Sequence, residues 1–170
     1  MNNTFTHILT LTFAVLLTGA CSNNYYENID RGSGFQFEPG KPELRLAASG
    51  FINEQNTPQI LVTGDVVYAS LIYKKRDEDI SAVINIEVLV ERNSESGKKT
   101  VVSNQQFTET LIRNDRGAVF DQNVFRFERQ FDVEPQEYKV TVSITDLASG
   151  ANTTRETTVE IPEVEDNTAE

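Results

Sequence analysis

The chain has 170 residues, a formal net charge of −11, 38% hydrophobic residues and no tryptophan. It contains one histidine, His7, and one cysteine, Cys21, so it excludes an intrachain disulfide and any zinc site built from several His or Cys ligands. The sequence after His7 has no histidine, which excludes Ser-His-Asp and Cys-His catalysis in that part of the chain. An acidic surface repels nucleic acid and anionic lipid headgroups, and we therefore expect no nucleic-acid partner.

The run Ile8–Leu17 is predominantly apolar and carries no charge. At about 1.5 Å of rise per helical residue it spans about 15 Å, half of a hydrocarbon core about 30 Å thick. It is too short for a transmembrane helix and has the length of the apolar region of a signal peptide. Residues 1–20 are therefore predicted to be a signal peptide.

Cys21 follows the small residues Gly19 and Ala20 directly, which resembles the lipobox of bacterial lipoproteins. The resemblance implies that Cys21 carries an S-diacylglycerol group and an N-acyl group and attaches the protein to a membrane. Thr18 departs from the lipobox pattern, which usually has an aliphatic residue at that position. The alternative to a lipoprotein signal is an ordinary secretory signal followed by a free cysteine. In some diderm bacteria, Asp directly after the lipidated cysteine retains a lipoprotein in the inner membrane. Ser22 occupies that position here, which predicts the outer membrane, with the domain facing either the periplasm or the medium.

Residues 21–42 are rich in Asn, Gly and Ser and show no periodicity, so we predict a flexible tether. A random coil of about twenty residues has a root-mean-square reach of about 25 Å, which holds a domain clear of a membrane. Four aromatic residues are unusual in a spacer, and they either pack on the domain or lie at the headgroup interface; they are Tyr25, Tyr26, Phe35 and Phe37.

Residues 43–162 alternate apolar and polar side chains with a period of two, which predicts β-strands. About seven such runs with turn signals between them predict an all-β fold, an immunoglobulin-like antiparallel β-sandwich. Arg129 has the parity of the inward-facing phenylalanines in its strand, so either a bulge shifts the register or that end is solvated. Residues 163–170 are acidic and poor in apolar residues, and we predict a disordered tail. The strand runs are Leu44–Ala48, Ile60–Val62 leading into Val66–Tyr73, Ile80–Val90, Thr100–Glu109, Phe125–Val133, Tyr138–Ile144 and a last strand carrying Val159 and Ile161.

Tyr138, in the run EPQEYKVTVSITD, is placed like the tyrosine corner of immunoglobulin-like sandwiches. The stretch from Gly64 to Ile161 also resembles the N-terminal β-sandwich of bacterial GWxTD-domain proteins, many of which are lipoproteins. The GWxTD segment itself is absent, and Pro135-Gln136-Glu137 replaces the usual Pro-Gly before the tyrosine. The resemblance implies the fold and carries over no activity. The matching landmarks are Tyr68, Ser70, Leu71, Lys74, Ala82, Tyr138, Asp146, Ser149 and Gly150.

Residues with reactive potential are few in this chain. Ser96 and Lys99 form an S-x-x-K pattern, but the pattern lies in a polar turn rather than on a helix. The run 77–79, or Asn114-Asp115 with Asp121, could supply some oxygen ligands for Ca²⁺, which needs six or more. We expect no catalytic residue, no metal ion and no cofactor.

Asp146 is expected to accept backbone N–H groups in its turn, with Gly150 at positive φ.

These observations together predict a lipid-anchored lipoprotein of the cell envelope. We expect it to act as a non-catalytic binding or assembly module for an envelope protein partner. One alternative is a carbohydrate- or Ca²⁺-binding module. The other is an enzyme that uses carboxylates or the Ser96/Lys99 pair.

Overall fold

The computed structural model of the protein describes residues 34–35, 38–76, 78–93, 99–113 and 123–163. In this part of the chain the structure is all-β, with one short 3₁₀ turn at Tyr68–Ser70, and no helix there is long and apolar enough to cross a membrane. The strands are β1 (Leu44–Ile52), β2 (Pro58–Val67), β3 (Lys74–Arg76), β4 (Asp79–Asn93), β5 (Lys99–Arg113), β6 (Val124–Asp132), β7 (Glu137–Asp146) and β8 (Asn152–Glu160).

The strands form two antiparallel sheets, which we call sheet A and sheet B. Sheet A has the order β1-β2-β6. In sheet B, β5 pairs along one edge of β4, while β7 and the short β3 share the other edge and β8 lies outside β7. The chain crosses between the sheets after β2, β5 and β6, which is an immunoglobulin-like arrangement of seven long strands. The predicted fold class is confirmed.

The core lies between the inner faces of the two sheets. Alternation places Val140 and Val142 of β7 inward and fully buried, while Lys139 and Thr141 between them are partly exposed. This is the alternation that the sequence predicts, because a slip of one residue would turn the apolar set to solvent. The other large contributors to the core are Leu44, Ile60, Val62, Val66, Ile84, Ile86, Val88, Val90, Phe127, Phe131, Tyr138 and Ile144.

One side of the sandwich is closed by contact between β1 and β8, which belong to different sheets. Thr153 Oγ1 donates a hydrogen bond to the Pro42 carbonyl oxygen at one end (2.6 Å). At the other end, Gly50 lies so close to β8 that an added Cβ would be 2.6 Å from the Glu160 carbonyl oxygen. On the opposite side, between β6 and β5, which we call the open side, the described residues make side-chain contacts, with Phe127 and Arg129 against the ring of Phe107.

Arg129 covers part of that open side. Strand β6 pairs with β2 without a register shift, so Arg129 keeps its inward parity and no bulge is present. Its guanidinium lies 3.8 Å from the centroid of the Phe107 ring on β5. A cation over an aromatic face is a favourable contact, and it lets a charged residue occupy an inward position at the rim of the core.

Tyr138 forms the predicted tyrosine corner between β6 and β7. Its hydroxyl donates to the Glu134 carbonyl oxygen (3.0 Å) and accepts from the Glu134 N–H (3.1 Å) and from Gln136 Nε2 (2.8 Å). The ring is buried in the core, so these bonds satisfy the polar end of an otherwise apolar anchor.

The apolar run Val66–Tyr73 differs from the continuous strand that its composition favours. Strand β2 ends at Val67, and the chain turns at Tyr68–Ser70. Ser70 Oγ donates to the Val67 carbonyl oxygen (2.6 Å) and accepts from the Glu43 N–H (2.9 Å). The serine side chain thus offers the backbone an alternative to sheet pairing, which ends the strand.

Candidate functional site

Several of the residues singled out in the sequence lie outside the described part of the chain. These are Cys21, Ser96, Asp77, Asn114, Asp115 and Asp121. Lys99 is exposed at the start of β5, and Glu78 and Asp79 are exposed before and at the start of β4. Over the described residues, no three His, Cys, Asp or Glu side chains come together as metal ligands.

Asp146 has the structural role that its position predicts. Its carboxylate accepts hydrogen bonds from the backbone N–H groups of Ala148 (2.7 Å) and Ser149 (3.2 Å) in its own turn, and from Ile72 (2.6 Å) in the link before β3. Gly150 follows at φ 74°, as expected. Asp146 is almost fully buried, and these bonds engage both of its oxygens.

Asp65 is a buried acidic residue that sequence reasoning missed. It lies on the outer face of sheet A, where the register places it between Arg45 of β1 and Arg126 of β6. Arg126 binds it in a bidentate manner through Nε (2.7 Å) and Nη2 (3.1 Å). Arg45 donates to Oδ2 through Nε (3.0 Å) and also through Nη2. The two guanidiniums leave Asp65 only 3% exposed.

The hydrogen bonds from Arg126, together with those from Arg45, hold the pKa of Asp65 below its usual value, although burial acts in the opposite direction. The carboxylate is therefore ionised at neutral pH and unsuited to donate a proton. The ring of Phe35 lies 5.1 Å from the Arg45 guanidinium, so this residue of the predicted tether packs on the domain. Tyr25, Tyr26 and Phe37 lie outside the described residues.

Tyr73 is a half-buried group with a large change in acidity. Burial raises its pKa to about 12, against a smaller opposing effect of the Arg113 charge. The phenol thus stays neutral across the physiological range.

An exposed apolar surface lies at one end of the outer face of sheet B. Lys74 of β3 and Ile112 of β5 are the register partners of Ser81 on either side of β4. A small groove beside them is lined by Lys74, Ser81, Val83, Leu147 and Ala148. More than half of the surface of Ile72, Ile112 and Leu147 is exposed. We call the surface formed by Ile72, Val83, Ile112, Leu147 and Ala148 the Leu147 patch.

A second, wider groove lies at the opposite end of sheet B. It runs between the start of β5 and the β6–β7 connection, and the exposed valines Val101 and Val102 form one wall. An ion pair between Arg92 and Glu134 (3.0 Å) lies beside it. Both partners are solvent-exposed, so this pair contributes little to stability and leaves both charges open to a ligand.

The chain matches no protein-family model, no curated protein and no solved structure. The likeness to GWxTD-domain sandwiches therefore stays a prediction.

Proposed function

We propose that this protein is a lipid-anchored lipoprotein of the bacterial outer membrane that acts as a non-catalytic binding or assembly module for another envelope protein. The anchoring half of the proposal depends on Cys21, which follows the apolar run Ile8–Leu17 and the small residues Gly19 and Ala20. The acyl chains on Cys21 would supply the membrane contact, because a chain of net charge −11 is repelled by anionic headgroups.

The non-catalytic half is supported by the engagement of the buried carboxylates. Asp146 is occupied by three backbone N–H groups, and Asp65 by two guanidiniums. Glu43 is 1% exposed, so a substrate has no access to it. General acid–base catalysis needs a carboxyl group near the operating pH that can reach a substrate, and none of these three groups meets both conditions.

The observation that carries the binding proposal is the Leu147 patch. Leu147 and Ile112 are large apolar residues with more than half of their surface exposed, and Leu147 lines the groove together with Val83 and Lys74. Exposed apolar side chains grouped beside a groove are typical of a protein-binding surface, whereas singly scattered ones need no explanation. Lys74 is exposed and lines the groove, which favours a partner with an acidic group beside its apolar contact.

The test is capture of partners from detergent-solubilised envelopes, with the anchored protein carrying Leu147→Asp and, as a matched control, Thr158→Asp. Thr158 is exposed on β8, away from the patch, so both variants add one negative charge at an exposed site. We expect a defined partner to be recovered with the wild type and with Thr158→Asp and to be lost with Leu147→Asp. Recovery that is the same in all three proteins would contradict the patch as the binding site.

The enzymatic alternative is tested separately with a screen of glycosides, esters and peptides. The proposal predicts no turnover above buffer. Turnover that disappears when one Asp or Glu, or Ser96, is substituted would overturn the binding-module assignment.

A further inference from the structure

The free edge of β5 differs from the other strand edges of the sandwich. It is a 15-residue strand that, among the described residues, pairs with β4 along one edge and with no strand along the other. From Thr100 to Thr108 it contains no charged residue and no proline. Such an edge presents a row of unpaired backbone N–H and C=O groups to solvent, and soluble proteins usually protect such edges with charges, prolines or a covering element.

The remaining long edges in the described part of the chain are protected. The edges of β1 and β8 face each other, as the contacts Thr153–Pro42 and Gly50–Glu160 show. Strand β6, on the open side, carries four charged residues among nine: Arg126, Glu128, Arg129 and Asp132. Only β5 thus combines length with an uncharged stretch, Thr100–Thr108, on a free edge among the described strands.

The outer-face row of β5 is chemically symmetrical end to end. Val101 at its start is the register partner of Glu91 and shares the outer face with Ile112 near its end, and both are more than half exposed. The residues between them on this face are all polar and uncharged: Asn104, Gln106, Thr108 and Thr110. The outer-face row therefore begins and ends with an apolar residue and has four neutral polar residues between them.

A row of this kind is complementary to itself when two like strands pair antiparallel about a twofold axis. In a twofold interface each residue meets a partner from the opposite half of the same row. Antiparallel alignment of two β5 strands about the midpoint between Gln106 and Thr108 brings Val101 of one copy towards Ile112 of the other. The neutral polar residues meet at the centre, where any charged residue would lie close to its own copy.

We propose that two copies of this chain associate through antiparallel pairing of their β5 edges, which joins the two B sheets into one continuous sheet. The pairing shares Ile112 with the Leu147 patch and uses no other residue of that patch. Because each copy is strongly acidic, long-range repulsion opposes the pairing, and salt that screens it strengthens the dimer.

The test is sedimentation of the full chain, purified in detergent that holds its acyl chains, with wild-type, Gln106→Lys and Gln130→Lys sequences. Gln130 is an exposed glutamine on β6, the other edge strand of the open side, so it is a matched control for the added charge. Interfaces of modest area often reach only micromolar affinity, so sedimentation is measured at protein concentrations up to about 0.5 mM, at low and at high salt. Equal unfolding midpoints of the three proteins would show that the substitutions leave the fold intact.

We expect a wild-type dimer that tightens with salt. Gln106→Lys should raise its dissociation constant about tenfold or more, because two lysines then face each other diagonally across the twofold axis, and Gln130→Lys should leave it unchanged. A protein that stays monomeric throughout, or a dimer that Gln130→Lys weakens as much as Gln106→Lys does, would overturn the proposal.

Cross-linking in intact cells provides a second readout with the chain in its own membrane. Gln106→Cys, treated with a short bismaleimide, should give a species of twice the monomer mass, and neither Gln130→Cys nor the wild type, which controls for Cys21, should do so. A product that joins Gln106→Cys to a different protein would show a foreign strand on this edge and would contradict self-association.

Discussion

Gly64 lies so close to an aromatic ring that a methyl group added there should lower the free energy of unfolding. It lies on the inner face of β2 opposite Phe127 of β6. A Cβ added at Gly64 would fall 3.0 Å from Cε2 of that ring and still closer to Cζ and Cε1. Carbon atoms in contact prefer about 3.5–4.0 Å, so the nearest ring atoms have to move by more than about 1 Å. Phe107 meets it edge-on with ring centroids 5.8 Å apart, and Phe125 lies 6.5 Å away, so little room is available.

Gly64→Ala should therefore lower the free energy of unfolding by about 2–3 kcal/mol, at the upper end of the cost of overpacking. Denaturant unfolding measures this as a lower midpoint with an unchanged slope. Thr63→Ala, on the outer face next to it, should cost less than about 1 kcal/mol. In a double-mutant cycle, Phe127→Leu should recover at least about 1 kcal/mol of the Gly64→Ala loss. A midpoint for Gly64→Ala equal to the wild type, or strictly additive losses in the cycle, would refute the proposed ring clash.

Two further predictions concern the core and the Asp65 cluster. Val142→Ala should cost about 1–3 kcal/mol through lost burial and a cavity, and Thr141→Ala well under 1 kcal/mol, so equal losses in denaturant unfolding would contradict the register of β7. The pKa of Asp65 is lower in the folded protein than its ordinary value of 3.8, so its carboxylate stabilises the fold above about pH 3.8 and this contribution is lost as the pH falls towards the lowered pKa. Asp65→Asn should accordingly be less stable than wild type at pH 7, and the difference in unfolding midpoint should shrink below about pH 4; a constant difference from pH 7 to pH 2 would rule out this linkage.

The strands that cross the core were predictable because burial alone fixes their alternation. Val140 and Val142 can only point inward if Lys139 and Thr141 point outward, so a local pattern of period two determines both register and exposure. Tyr138 was predictable for a similar reason, since its hydrogen bonds go to a residue only four positions upstream.

Contacts between distant strands were not predictable from local pattern. Arg129 points inward, and its guanidinium lies over the ring of Phe107, which belongs to the other sheet. In the sequence, Asp65 is an isolated acidic residue within an apolar run. Only the order of the strands in sheet A shows that Arg45 and Arg126 lie on either side of it. A signal for Asp65 does exist in the sequence, because an acidic residue within an apolar strand is stabilised by a cation on the neighbouring strand. The partner's identity depends on the sheet order, which the sequence pattern leaves open.

Metabolic labelling with palmitate, followed by membrane fractionation, tests the lipidation of Cys21. We expect the wild type to be labelled and to sediment with outer membranes, and Cys21→Ala to be unlabelled and released from them. A labelled Cys21→Ala protein, or a wild type that is exported without label and found soluble, would contradict it.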